Sequence, residues 1–392
     1  MKYRILFTMF FCVLSASLFA QQRQQSRKNP SMLTYPVIST RTEVILPEVN
    51  GYKVIKADLH THTIYSDGQL TSSARVAEAW RDGLDAIAIT DHIETRLNIS
   101  AFEEYLGDNI KKVDKNPSYD KTDMNYSVEG GQGAAGNYGI TLIPGIEITR
   151  NPMEIGHFNA LFTTDNNLIP DEDPLQSVRN AKAQNAIVQI NHPGWARPDN
   201  EFTPVAEAAI KEGLISGVEV FNSYEFYPEI IEKATGMGFY VCCGSDLHIT
   251  SYERYGTYGM FRNMTLILAK DSSLESIREA LEHQRTLAYA YGDIAGSEQL
   301  LKDFFCAAVS CKVVKSSSNG RKTVQITNNS SFPYVIALPG SAVDVTLKGF
   351  SSVLYTGEED EIPVTVTNMW FGADKHPSLS LVISGNTLPP FE

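Results

Sequence analysis

Short apolar runs alternate with helical patterns about seven times between residue 51 and about residue 295, and this alternation limits the fold more than any other feature. The runs at 54–59, 84–90, 186–190, 217–221, 239–243 and 264–269 have the composition of strands buried on both faces. Between them, 71–81, 203–211 and 228–237 read as helices, as do a segment opened by Asp173-Pro174 and one opened by a Ser272/Glu275 capping box that runs to about 284. Strands 140–143, turning at Pro144-Gly145, and 157–163 fill the gap between. Such an order over about 240 residues predicts an α/β fold, a closed parallel barrel rather than an open doubly wound sheet. The helical piece at 101–113 and the Gly-rich tract 130–136 interrupt the alternation and are expected to form a rim or lid.

The ends of the chain read differently. Lys2 and Arg4, an apolar 5–14 and small residues up to Ala20 predict a signal peptide over 1–20, cut near Ala20, and hence an exported, periplasmic or secreted protein. No other segment is long enough to cross a bilayer. Residues 21–50 read as a loose leader, 51–296 as the barrel, and 297–392 as a small antiparallel β-sandwich-like domain with strands at 304–314, 322–327, 334–338, 342–347, 362–367 and 379–383. Cys242, Cys243, Cys306 and Cys311 read as buried small hydrophobes, not a disulfide framework. The formal net charge, 33 − 46 = −13, argues against a nucleic-acid duplex or an anionic membrane as partner.

Six of the eight histidines, His60, His62, His92, His157, His192 and His248, lie at or just beyond an end of a predicted strand, together with Asp67, Asp91, Glu147 and Asp246. His60 and His62 share a face of one extended segment. His283 and His376 read as surface residues. In a barrel the C-terminal strand ends meet at one mouth. His157 is the exception, because it begins its strand, and a local distortion or a shorter strand elsewhere must bring it inward. The set exceeds what one tetrahedral zinc needs, so two or three divalent ions are expected, with Glu147 suited to bridging. Histidine-rich donors favour zinc, manganese or iron over magnesium. Several ions on one mouth suit hydrolysis of a phosphate ester. Asp58 and Asp91 are placed to orient imidazoles, and Arg150, Arg197 and Arg254 to fork onto a phosphate. The tract 130–136 lacks the Lys-Ser/Thr of a phosphate loop.

His60-x-His62 with Ser66-Asp67-Gly68, then Thr90-Asp91-His92, Gly145-Ile-Glu147, Asn191-His192-Pro-Gly and Ser245-Asp246-x-His248 resemble the blocks of the polymerase and histidinol phosphatase (PHP) domain family, in order. The likeness covers about residues 52–295. It implies a distorted (β/α)7 TIM-like barrel. It also implies one ion on His60, His62, Glu147 and Asp246, a second on Glu147, His157 and His192, and a third on Asp67, His92 and His248. The reading is then a metal-dependent phosphoesterase that hydrolyses a small phosphorylated substrate with a metal-bound hydroxide. His60, Glu147, Asp246, Arg197 and Arg254 are its candidate catalytic residues. An amidohydrolase-like C–N hydrolase and a metal-loaded glycan-binding module are the alternatives.

Overall fold

The computed structural model describes residues 40–93, 123–148, 155–197, 199–318 and 320–383. The expected signal peptide, the helix at 101–113 and Arg150 lie outside these residues. The expected leader is described from residue 40, and its last stretch is not loose. Arg41 bonds the carbonyls of Gly83 and Leu84, Thr42 N donates to Arg81 O, Ile45 exchanges hydrogen bonds with Ser331, and Val44 and Val49 are buried.

The chain proceeds through β1 (Lys53–Asp58), α1 (Ser72–Arg81), β2 (Ala86–Ile89), α2 (Tyr126–Tyr138), β3 (Thr141–Ile148), β4 (Phe158–Leu161), α3 (Pro174–Ala183) and β5 (Ile187–Ile190). It continues with α4 (Pro204–Lys211), β6 (Gly217–Asn222), β7 (Glu225–Phe226), α5 (Pro228–Gly236), β8 (Tyr240–Gly244), α6 (Ser251–Arg254), β9 (Met264–Ala269), α7 (Leu274–Glu282), β10 (Thr286–Ala290) and β11 (Asp293–Ala295). Local chemistry sets many of the helix starts. Thr71, Asp173 and Thr203 cap α1, α3 and α4 through side-chain oxygens, and Pro opens α3, α4 and α5. The cap of α7 is Ser273, one residue beyond the expected Ser272.

These strands form a curled mixed sheet, the barrel-like α/β fold expected, but its strands are not all parallel. The pairs β1–β2, β2–β3, β5–β6 and β6–β8 are parallel, whereas β4 runs antiparallel to both β3 and β5, and β9 antiparallel to β1. Threonine hydroxyls tie β8 to β9 and β10: Thr265 bonds Cys243 N and O, and Thr286 bonds Val241 O. An isolated parallel bridge, Thr61 to Leu247, links the segments leaving β1 and β8.

Three expectations change here. The Gly-rich tract, expected in a rim or lid, is helical and forms the body of α2, where a Cβ on Gly131 would lie 3.1 Å from the side chains of Ile89 and Leu142. Glycine lets the helix press onto the sheet. Strand β3 does not turn at Pro144-Gly145 but runs on to Ile148; Pro144 falls opposite Ile89, the last residue of β2. Residues 304–308 are not strand but the end of α8 (Glu298–Ala308), whose buried Leu301, Phe304, Phe305 and Ala308 recur at helical spacing. The continuous apolar run hid that period. As a result Cys306 faces solvent, while Cys242, Cys243 and Cys311 are buried as expected.

After α8 come β12 (Val309–Ser316), β13 (Lys322–Asn328), β14 (Tyr334–Ala337), β15 (Val345–Leu347), β16 (Ser352–Gly357), β17 (Glu361–Val366), β18 (Met369–Trp370) and β19 (Ser378–Val382). They make two antiparallel sheets, β12-β13-β16 and β15-β14-β17-β19, except that β18 joins β11 at the edge of the large sheet. The barrel and this β region share one apolar core, in which Leu266, Leu287 and Tyr289 pack with Val324, Ile326 and Phe332. Phe332 stacks on Tyr289 with ring centroids 3.9 Å apart. His283 is exposed as expected; His376 is half-buried, bonding Met369 O and lying edge-on to Trp370. Among the described residues no helix is long and apolar enough to cross a membrane.

Candidate metal centre

Strands β1, β2, β3, β5, β6 and β8 all point their C-terminal ends at one mouth. His60 and His62 follow β1, His92 follows β2, Glu147 lies near the end of β3, His192 follows β5, and Asp246 and His248 follow β8. His157 precedes β4, and β4 is reversed, so its first residues reach the same mouth. Strand direction, not a local distortion, brings this imidazole in.

The side chains converge. His60 Nε2 lies 3.1 Å from His62 Nε2, 3.4 Å from Glu147 Oε1 and 3.4 Å from Asp246 Oδ1. His62 Nε2 is 3.0 Å from Asp246 Oδ1. Glu147 is central: His92 Nδ1 sits 2.7 Å from Oε2, and His157 Nδ1 and His192 Nε2 each 3.5 Å from Oε1. Asp67 stands 3.2 Å from His248 Nε2 and 3.4 Å from His92 Nε2. Among the described residues three groups have ligand atoms close enough to hold an ion: His60/His62/Asp246, His60/Glu147/His192, and His62/Asp67/His92/His248. These groups take in eight of the nine expected ligands, with His60 and His62 each serving two groups, and His157, outside all three, lies against Glu147 and His192.

Buried partners hold this arrangement. Glu219, in the wholly buried strand β6, accepts from His60 Nδ1 at 2.9 Å and from His192 N and Asn222 Nδ2 at 2.8 Å each. It fixes the tautomer of His60 so that Nε2 faces the other ligands. Gly244 must be glycine, since a Cβ there would lie 2.1 Å from Glu219 Oε1 and 2.8 Å from His60 Cβ. Asn191 donates to Glu147 Oε1 at 2.9 Å. Asp58 and Asp91 hold the loops, and Asp91 reaches the His62 ring through Ser66. Asp58 accepts from His60 N, Ser245 N and Arg262, and Asp91 from Thr63 and Ser66. Glu219 belongs to none of the motifs that mark the other site residues, although a carboxylate amid Gly-Val-Glu-Val-Phe-Asn is itself a signal. His192 (φ 23°) and Asp246 (φ 51°) have left-handed backbones, a strain typical of functional sites.

Charge reinforces the geometry. Burial alone would lower the pKa of His60, but Asp246, Glu219 and Glu147 outweigh it and raise that pKa well above the usual imidazole range. Against the same burial, Glu147 and Asp67 raise His92, the close contact with Glu147 raises His192, and the close contact with Asp67 raises His248. Burial and the neighbouring His248 and His92 lower His62 to about 3. Burial also lowers His157. Glu147 and Asp246 are held well below the carboxylate range despite burial, the first chiefly by His92 and His60, the second chiefly by His60 and His62. The carboxylates demand positive charge at the mouth, and imidazole protons supply it when nothing else does.

Divalent ions fit this demand. Glu147 Oε2, Asp246 Oδ1, Asp67 Oδ1 and both ring nitrogens of His157 are buried without a hydrogen bond of normal geometry. Buried polar atoms are rarely left so, and these five belong to the converging set. Arg197 lies beside the centre in an open cleft with His157, His192 and Trp195, its Nη2 3.1 Å from Asp199 and its Nη1 buried without a hydrogen bond. Arg254 stacks over the ring of Tyr224 at 5.4 Å and is not part of the three groups.

No curated protein matches the chain. Among solved structures, a two-domain protein from Bacteroides vulgatus, containing a predicted PHP-like metal-dependent phosphoesterase, is 31% identical, with a TM-score of 0.78 over 88% of this chain and 100% of its own. Two others are more distant at 15% identity. One is a candidate metal-dependent phosphoesterase from Bifidobacterium adolescentis (59% of this chain, 96% of its own, TM-score 0.40). The other is an amidohydrolase from Chromobacterium violaceum (60% and 98%, TM-score 0.37). Residues 58–273, which carry every one of the converging ligands, match the PHP domain model, and the chain belongs to the PHP domain family.

Proposed function

We propose that this protein is a metal-dependent phosphoesterase acting on a small phosphorylated substrate outside the cytoplasm. The observation that carries the reading is the convergence of nine imidazole and carboxylate groups, eight of them in three groups at ligand spacing and His157 beside Glu147, with five buried polar atoms that lack a hydrogen bond of normal geometry. His60, His62, Glu147 and Asp246 would hold one ion, Glu147 with His157 and His192 a second, and Asp67, His92 and His248 a third. Zinc, manganese or iron suits these donors. Bound there, such ions lower the pKa of water and neutralise charge on phosphoryl oxygens.

The chain's own groups do the rest. Glu147 touches five of the six imidazoles and is placed to bridge. Glu219 keeps His60 Nε2 turned to the mouth. The cleft beside His157 and His192, lined by Trp195, Phe158, Ile190 and Phe202, would take the organic part of an ester, and Arg197 would meet an anionic oxygen there. The basic, apolar and small-residue order of residues 2–20 supports export.

The test is hydrolysis of phosphomonoester, phosphodiester and amide substrates by chelator-treated protein, before and after addition of Mn2+, Zn2+ or Fe2+, with anomalous scattering to count bound ions. Metal-restored phosphate release supports the reading. Amide hydrolysis alone, or bound metal with no turnover of any ester, refutes it.

A further inference from the structure

Helix α1 sends a charged side chain where an apolar one would pack at less cost. Arg75 is fully buried, and its guanidinium donates to three backbone carbonyls: Nε to His62 O at 3.1 Å, Nη2 to Leu247 O at 2.9 Å and Nη1 to Ile249 O at 2.9 Å. Glu78, one turn on, pairs with Nη1 at 2.6 Å and uses its other oxygen to accept from Ser251 N. The carbonyls belong to two segments far apart in the chain. One carries His60, His62 and Asp67; the other carries Asp246 and His248. The segments touch directly through Asp246 N to His60 O, His62 N to Leu247 O and Gln69 N to His248 O. Arg75 fills the space behind these contacts and reaches both sides at once.

We propose that Arg75 is a positioning residue for the metal centre. Its planar fork sets the separation of the two ligand-bearing segments, so that the groups drawing on both, His60/His62/Asp246 and His62/Asp67/His92/His248, stand at ligand distance before an ion arrives. Only a guanidinium offers three rigid, diverging donors; a lysine has one nitrogen at the end of a flexible stem and cannot reach three carbonyls. The inference rests on the metal-centre reading above.

Equilibrium dialysis of the full chain against Mn2+, with elemental analysis and thermal melting, tests it. Wild type, Arg75→Lys and Val76→Ala are compared, Val76 being equally buried on the same helix and part of the apolar core. Arg75→Lys is expected to weaken Mn2+ binding at least about tenfold, the scale for partners that orient ligands, while Val76→Ala lowers the melting temperature and leaves affinity unchanged. If both variants lower only the melting temperature, Arg75 is ordinary scaffold and the inference is overturned, with the phosphoesterase reading intact. If wild type itself binds no Mn2+, both fall. Should Arg75→Lys not fold, Glu78→Gln, which loosens Arg75 but keeps an oxygen for Ser251, must weaken binding in the same direction; unchanged affinity in folded Glu78→Gln overturns the inference.

Discussion

Replacing Glu219 by Gln changes one atom and should disable the centre without unfolding the protein. The two carboxylate oxygens serve three donors: Oε1 faces His60 Nδ1, and Oε2 takes His192 N and Asn222 Nδ2. A glutamine has one oxygen. Placed toward His192 and Asn222 it satisfies both, and its NH2 then faces His60 Nδ1. That nitrogen must become an acceptor, so the proton moves to Nε2, the atom 3.4 Å from both Glu147 and Asp246. A protonated Nε2 cannot bind an ion. Restoring the useful tautomer means opposing two donors in a buried site, about 1–3 kcal/mol, and partners of this kind are worth about 10–100-fold in metal affinity. Dialysis against buffered Zn2+ with elemental analysis measures the loss directly. Full occupancy of Glu219→Gln at the same free-ion concentration as wild type would refute the tautomer argument.

Gly244→Ala should give a similar metal loss by another route, because its methyl would collide with Glu219 and His60; unchanged metal content would show that β8 can move away. Arg197→Ala should raise KM for a phosphate ester with little change in kcat, read from initial rates, if the group binds the substrate anion in both ground and transition state. Chelator-treated protein should lose stability as pH rises. His60, His92, His192 and His248 have raised folded-state pKa values, so the folded state holds extra protons above about pH 6.5, and their contribution is fully present below that and lost as pH climbs through the folded values. Denaturant melts between pH 6.5 and 9 check the slope, and a flat or rising curve contradicts it. Phe332→Ala should cost about 3–5 kcal/mol and lower a single calorimetric transition. Two separate transitions would show that the shared core does not couple the two regions.

The sequence by itself determined most of the strand–helix order, the Asp173 cap and which nine imidazole and carboxylate groups converge as candidate ligands, because each is written in a few neighbouring residues. Asp173 caps where a short polar side chain meets Pro174 and a helical period, and each candidate ligand follows or precedes an apolar run. The run at 304–308 misled because an unbroken apolar stretch carries no visible period, and only packing of Phe304 and Phe305 against the shared core made it helical. Tertiary structure alone decided what depends on strand direction and distant partners. Nothing near His157 states that β4 runs backwards, nothing near Arg75 states that three carbonyls some 13 to 174 residues away will surround it, and nothing near His60 names Glu219, which lies 159 residues on. Those pairings are set by which strands lie side by side, and the chain encodes that through the summed burial of whole faces, not through any local signal.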